Sequence, residues 1–175
     1  VKASRPDQAR VVPAAEKDLP AIAALAQRIW RECYPGIITA EQIEYMLARM
    51  YSLDVLREEL RGSIRYERLL AGDEFVGFAA YGPTDQREEF KLHKFYLLRE
   101  RHGRGLAVSL LEQCEHRLRQ IGARRLVLNV NKGNARAIAF YRKHGFDIAE
   151  SVVVDIGAGF VMDDYVMGKD LGTMT

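Results

Sequence analysis

Cysteine is scarce: the 175 residues hold two, Cys33 and Cys114. Both fall on apolar stripes of helical period, so they read as small buried hydrophobes rather than a disulfide. No CxxC or HExxH spacing occurs, and no metal site is expected. No run of 18 apolar residues exists and no signal-peptide pattern opens the chain. The expectation is a cytoplasmic protein without membrane contact. Neither sign of charge dominates: 26 Lys and Arg stand against 24 Asp and Glu, a net charge of +2. That balance does not announce nucleic acid as a partner. Arg117, Arg119, Arg124 and Arg125 alternate with Glu112, Glu115 and Gln120, as a solvated helix face does. Internal repeats and low-complexity segments are missing too.

What is present is 48% hydrophobic and 29% charged residues, enough for a real core in one domain spanning 1–175. Residues 1–8 are polar and read as loose. A first strand lies in "ARVVPAA". Ile22, Leu25, Ala26, Ile29 and Cys33 then recur at helical spacing, with Asp18 as expected N-cap and Pro20 in the first turn. Thr39 and Gln42 fit a capping box before a second helix lined by Ile43, Met46, Leu47 and Met50. "LDVLREELRG" is a short third helix closed by Gly62. Two strands flank the turn signal Gly72-Asp73, and "EFKLHKFYLL" is another strand. A helix from Leu106 to Ile121 follows, with Ala107, Leu110, Leu111, Cys114, Leu118 and Ile121 on its apolar face and Glu112, Glu115, Arg119 and Gln120 pointing away. "RRLVLNV" is a strand, "NARAIAFYRKHGF" a helix ending at Gly145, and two strands finish the chain. The order is strand, helices, three strands, helix, strand, helix, two strands: a mixed α/β domain.

The stretch "RERHGRGLAVSLL" places Gly103 and Gly105 at the mouth of a helix, although glycine in a helix interior costs about 1 kcal/mol against alanine. A helix N-terminus carries unpaired N–H groups and a positive dipole end. Without side chains there, a phosphate can reach the backbone, and Arg101 and Arg104 add charge. The turn reads as a cradle for a pyrophosphate, beside the simpler reading of a strand–helix turn that needs glycine. A dinucleotide fingerprint fails because Val108 stands where GxGxxG needs its third glycine, and no GxxxxGK[ST] occurs.

Downstream stands "LNVNKGNARAIAFYRKHGF". Together the two stretches resemble the GNAT superfamily of acetyl-CoA-dependent N-acetyltransferases, over about residues 75–171. His102, Gly105 and Ala107 match the strand–[RQ]xxGx[GA]–helix motif. Asn134, Ala137, Phe140, Tyr141, Gly145 and Phe146 match the next one. His102 departs from the usual Arg or Gln, and Arg99 from a frequent Pro. The resemblance implies a mostly antiparallel sheet of about seven strands, splayed between the fourth and fifth, with helices on both faces. A faint likeness to the bacterial polyamine acetyltransferases lies in the tail and the early helices.

The same resemblance implies roles. Acetyl-CoA is the cosubstrate, held by His102, Gly103, Arg104, Gly105, Leu106 and Ala107. Its pantetheine arm pairs with the free edge of Tyr96, Leu97 and Leu98. Asn134 holds that arm or merely caps its helix. Tyr141 is the acid that protonates the leaving thiolate, although the residues alone also allow a core aromatic. His93 is a candidate base, or a solvent-facing strand histidine. The acceptor is a small primary amine, polyamine-like, with a protein N-terminus or lysine, or a sensor module without turnover, as alternatives. Trp30, Tyr34 and Tyr45 are candidates to shape the acceptor pocket. Asp163 and Asp164 are candidates to hold a cationic amine, or else form an exposed turn. Homodimers are common in the family.

Overall fold

The computed structural model describes residues 9–172, so the expectation for residues 1–8 lies outside the described residues. The elements are β1 (Ala9–Pro13), α1 (Leu19–Cys33), α2 (Ala40–Tyr51), α3 (Leu53–Arg61), β2 (Arg65–Ala71), β3 (Glu74–Pro83), β4 (Glu89–Leu97), α4 (Leu106–Gln120), β5 (Arg125–Asn131), α5 (Ala135–Lys143), β6 (Asp147–Gly157) and β7 (Phe160–Asp170). This is the order that the sequence patterns give.

The helix starts follow local chemistry, with two differences from expectation. Asp18 does not cap α1 through its side chain. Its carboxylate accepts from the Ala15 N–H at 2.8 Å and pairs with Arg68 at 3.0 Å, so β2 claims the charge instead. Thr39 caps α2 by accepting from the Gln42 N–H at 3.2 Å. The reciprocal half of the box is missing, because the Gln42 amide donates to the Val161 carbonyl at 2.9 Å.

The seven strands form one sheet in the order β1-β2-β3-β4-β5-β7-β6. Every neighbouring pair is antiparallel except β4 with β5. Helices cover both faces. On one, α3 sends Glu59 to the buried Lys94 of β4, Nζ to Oε2 at 2.5 Å. On the other, α4 sends Arg117 to Glu67, which also accepts from the Tyr81 hydroxyl at 2.9 Å. The core joins Ile22, Ile29 and Trp30 of α1 to Phe78 of β3 and Leu110 and Leu118 of α4, all at most 2% exposed.

The outward face of α4 differs from its pattern. Glu115 is only 4% exposed and bridges Arg119 at 3.0 Å and Lys169 of β7 at 2.5 Å. A long lysine reaching in from a neighbouring strand makes the buried carboxylate tolerable. Ile121, one residue past the helix, is 61% exposed because the chain turns away there. The four arginines of this region all have carboxylate partners: Glu67, Glu115, Glu88 and Glu89. Both cysteines are free thiols, and Cys114 is buried.

One glycine fixes where β4 lies. A Cβ on Gly77 of β3 would sit 2.6 Å from the Tyr96 carbonyl oxygen of β4. Backbone against backbone leaves nothing soft to yield. Gly77→Ala should lower stability by about 1–3 kcal/mol, the usual range for overpacking. For a chain of this size each kcal/mol moves Tm by roughly 2–4 °C. An unchanged melting curve would show that β3 does not approach β4 so closely.

Candidate active site

The site begins where two strands part. β4 and β5 pair only from Glu89 with Arg125 to Leu92 with Leu128. One residue further, β4 carries a bulge: Tyr81 of β3 faces Leu92 and Ala80 faces Lys94, which leaves His93 as the extra residue. A bulge bends its strand and sharpens the twist. From His93 onward the side of β4 that faces β5 has no strand partner. The Leu98 N–H donates to Val76 of β3 at 2.9 Å. Antiparallel bonds alternate along a strand. The backbone groups of Tyr96 and Leu98 therefore turn toward β3, and those of Phe95 and Leu97 turn into the gap. The expected edge of Tyr96, Leu97 and Leu98 is corrected accordingly: Leu97 is on it, Phe95 joins it, and Tyr96 contributes its ring instead.

Directly after β4 comes the glycine turn. Gly103 and Gly105 have φ of 77° and 75°, a region that glycine enters without strain. Gly105 caps α4 with no side-chain hydrogen bond to the first-turn amides. A Cβ at either glycine would meet nothing within 4 Å. The turn is bare, exposed and headed by unpaired N–H groups of a 15-residue helix. Those features fit a pyrophosphate, whose charge the helix end stabilises. Leu106 is buried and anchors the helix start, while Ala107 is partly buried. Arg104 is exposed beside the glycines. Arg101 pairs with Glu74 and so braces the turn against β3. His102 has a structural task as well: its Nε2 lies 2.9 Å from the Leu97 carbonyl, tying the turn to the edge of the gap. Burial lowers its pKa, and the nearby Arg136 and Arg99 act in the same sense.

Tyr141 projects from α5 into the same region. It is 8% exposed and packs beside Phe95, Phe140 and Phe146. Burial raises its pKa first, and Tyr34 adds to the rise, so the phenol stays protonated and can donate. Tyr34 is raised too, by burial, then by Tyr96, and further by Asp164 and Cys33. Three phenols, Tyr34, Tyr96 and Tyr141, thus gather with Asp164 around the gap. Trp30 stands behind them. It is 1% exposed and stacks on Tyr34 with centroids 4.2 Å apart, so it supports the pocket wall rather than lining it.

Other expected residues divide. Asn134 caps α5, accepting from the Ala137 N–H at 3.2 Å, and only its amide N–H₂ remains to donate. His93 is pushed down to about 4, chiefly by burial and then by Lys91 and Lys94, against Glu59. It is neutral at neutral pH, and its Nε2 is buried without a hydrogen-bond partner among the described residues. Asp163 and Asp164 do not act as a pair. Successive strand residues point to opposite faces. Asp163 is exposed and ion-paired with Lys132, whereas Asp164 is 5% exposed. Tyr45 does not shape the pocket with a free hydroxyl. It donates to the Ile156 carbonyl at 2.5 Å, Arg49 donates to the same oxygen, and Gln42 holds Val161. Together these bonds clamp the β6–β7 hairpin onto α2. Among the described residues no three His, Cys, Asp or Glu side chains gather as a metal-binding group.

Two site residues escaped the sequence patterns. Phe95 is concealed by its ordinary strand alternation. Asn129 carries a visible signal, a polar residue inside the apolar strand "LVLNV", and it lies exposed on β5 at the gap.

The comparisons with known proteins agree with this geometry. Residues 22–146 match the model of the acetyltransferase (GNAT) family. An uncharacterised N-acetyltransferase of Mycobacterium tuberculosis is 32% identical over 155 residues, 88% of this chain and 98% of that protein. A spermidine N(1)-acetyltransferase of Thermoplasma acidophilum is 26% identical over 152 residues, 84% of this chain and 91% of its own. The crystal structure of the PaiA N-acetyltransferase from Thermoplasma acidophilum, in complex with coenzyme A, superposes with a TM-score of 0.78 at 23% identity, covering 93% and 99% of the two chains. Parted strands, a bare helix start after β4 and a buried phenol on α5 sit within the matched span: the chain belongs to the acetyltransferase (GNAT) family and is an acyltransferase.

Proposed function

We propose that this protein moves the acetyl group of acetyl-CoA to the primary amine of a small molecule. The observation that carries the reading is the convergence of the glycine cradle, the open edge of β4 and the Tyr141 phenol on one gap in the sheet. When bound, acetyl-CoA supplies an activated thioester. The amides at the start of α4 would hold its pyrophosphate. The outward backbone groups of Phe95 and Leu97 would align its pantetheine arm as an added strand would, with the Asn134 amide at the start of α5 as a further donor. Tyr141 would donate its proton to the departing sulfur. The sheet gap would exclude water behind the ring of Trp30 and its neighbours.

A small acceptor is favoured over a protein segment by the clamp on the β6–β7 hairpin, which closes the acceptor side against α2. Polyamines are the first class to test, given the 26% identity to a spermidine N(1)-acetyltransferase. Of the two aspartates that were candidates to hold a cationic amine, Asp163 faces away and Asp164 alone remains beside the gap. A panel of polyamines, amino acids, aminoglycosides and peptide N-termini, assayed for CoA release, decides the acceptor. A peptide N-terminus preferred over every free amine would replace the small-molecule reading.

Two measurements test the cofactor half. At ~100 times its dissociation constant, acetyl-CoA should stabilise the fold by about 2.7 kcal/mol. Gly105→Glu should remove that shift by placing a carboxylate at the phosphate site, in a protein whose own Tm is measured first. No shift in the wild type at millimolar acetyl-CoA or CoA would reject the cradle. Tyr141→Phe should keep acetyl-CoA affinity and lower turnover by a factor of about 100 to 10,000, the usual cost of losing a general acid. Unchanged turnover would make Tyr141 a packing residue.

A further inference from the structure

Proton removal from the acceptor has no owner in the reading so far, and His93 is poorly suited to it. Burial, then Lys91 and Lys94, lower its pKa and make it a poorer proton acceptor than an ordinary imidazole. The structure offers a second group. Asp164 pairs in register with Asn131 of β5, at the end of that strand beside the gap. Two residues earlier on β7, Met162 receives the Gln42 amide of α2, so by alternation Asp164 faces the α2 side of the sheet. It is 5% exposed, and its Oδ1 is buried with no hydrogen-bond partner among the described residues.

A buried carboxylate with an unsatisfied oxygen costs stability, by the full desolvation of that oxygen. Chains keep such a group where a ligand completes it. The groups around it do not neutralise it. Lys91 of β4 and Lys132 beyond β5 act on it only at a distance, and Lys132 is already bound to Asp163, whose own charge opposes it. Asn129 of β5 hydrogen-bonds the carboxylate and opposes the rise in its pKa, but it brings no charge; Tyr34 at the end of α1 is uncharged too, and α2 brings the uncharged Gln42. Burial is the largest influence on its pKa and raises it, which makes it a better proton acceptor than an ordinary aspartate.

Building on the acetyl-transfer reading, we propose that Asp164 receives the acceptor's ammonium group and takes its proton. One N–H proton passes from the ammonium to the Asp164 carboxylate. The freed nitrogen lone pair forms the N–C bond to the acetyl carbon while the C–S bond breaks. The sulfur takes the Tyr141 proton, and the second proton lost by nitrogen restores that phenol. Asp164 then releases its proton to solvent, so one proton leaves for each amine acetylated. Base and acid come from different elements, β7 and α5, with opposite environmental demands: one must ionise and the other must not.

The test is Asp164→Asn, which keeps shape and removes the charge. With the best amine of the panel, kcat/KM should fall by about 100-fold or more, and the acid limb of its pH profile should vanish, while the KM for acetyl-CoA holds. A thermal measurement needs no acceptor. A carboxyl whose folded pKa lies above its unfolded value contributes stability that is complete below the unfolded pKa and is lost as pH rises through the folded one. The Tm of Asp164→Asn minus that of the wild type should therefore grow as pH rises through and above the ordinary carboxylate range. A variant that melts lower than the wild type by a pH-independent margin would show that the charge is structurally paired, and would overturn the proposal. So would amine acetylation with an unaltered rate and acid limb, which leaves the acetyl-transfer reading standing. Loss of the acid limb in His93→Gln but not in Asp164→Asn would assign the proton to His93. Acetylation of no amine at all would remove the acceptor reading and this proposal with it.

Discussion

Four residue pairs hold β4 to β5, and the site exists because the fifth does not form. A parallel pair needs both strands to keep one twist. The bulge at His93 gives β4 an extra residue and a sharper bend at the point where the pairing ends. On its other side β4 stays registered to β3 as far as Leu97, helped by the close approach at Gly77. The strand therefore cannot follow β5, and β5 is committed to β7 over seven pairs. The gap between the two halves follows from these two commitments.

The surroundings of the gap are arranged to keep neutral groups neutral. Tyr34, Tyr96 and Tyr141 all have raised pKa values, with burial as the leading cause for each. The aromatic wall of Trp30, Tyr51 and Phe78 packs against Tyr96 and excludes solvent there. Charge enters at a few defined points: the dipole end of α4, the Lys94–Glu59 pair beneath the strand, and Asp164. The buried Lys94 and Asp164 sit in a poorly solvated setting, where charge acts over a longer range than in water.

Periodicity and punctuation in the sequence were enough for the element order, because each helix carries a complete apolar stripe and each turn its glycine or cap. The glycine turn and the cap of α5 were legible for a related reason: Gly103, Gly105 and Asn134 act through local backbone geometry, and Tyr141 lies within a local motif. The acceptor side depends on contacts between distant elements, which no local pattern displays. Asp163 and Asp164 look alike in sequence, and only strand alternation, with Lys132 waiting on one face, separates them. Glu115 looks solvent-facing until Lys169 arrives from β7, 54 residues away in the chain. Trp30 looks like a pocket aromatic until Tyr51 of α2 and Tyr96 of β4 close around it.

The gap runs through the sheet, with α4 on one face and α1 to α3 on the other. It therefore has two mouths. The mouth proposed for the donor is shaped by backbone and by two glycines of positive φ. The mouth proposed for the acceptor is shaped by side chains of α2 and the β6–β7 hairpin, whose outer positions, among them Val153, Val154 and Val161, are exposed and make few demands on the core. Drift in the second region need not disturb the first. On the proposed reading, the architecture thus places the holding of the donor and the choice of acceptor on separate elements, so that a change in one need not disturb the other.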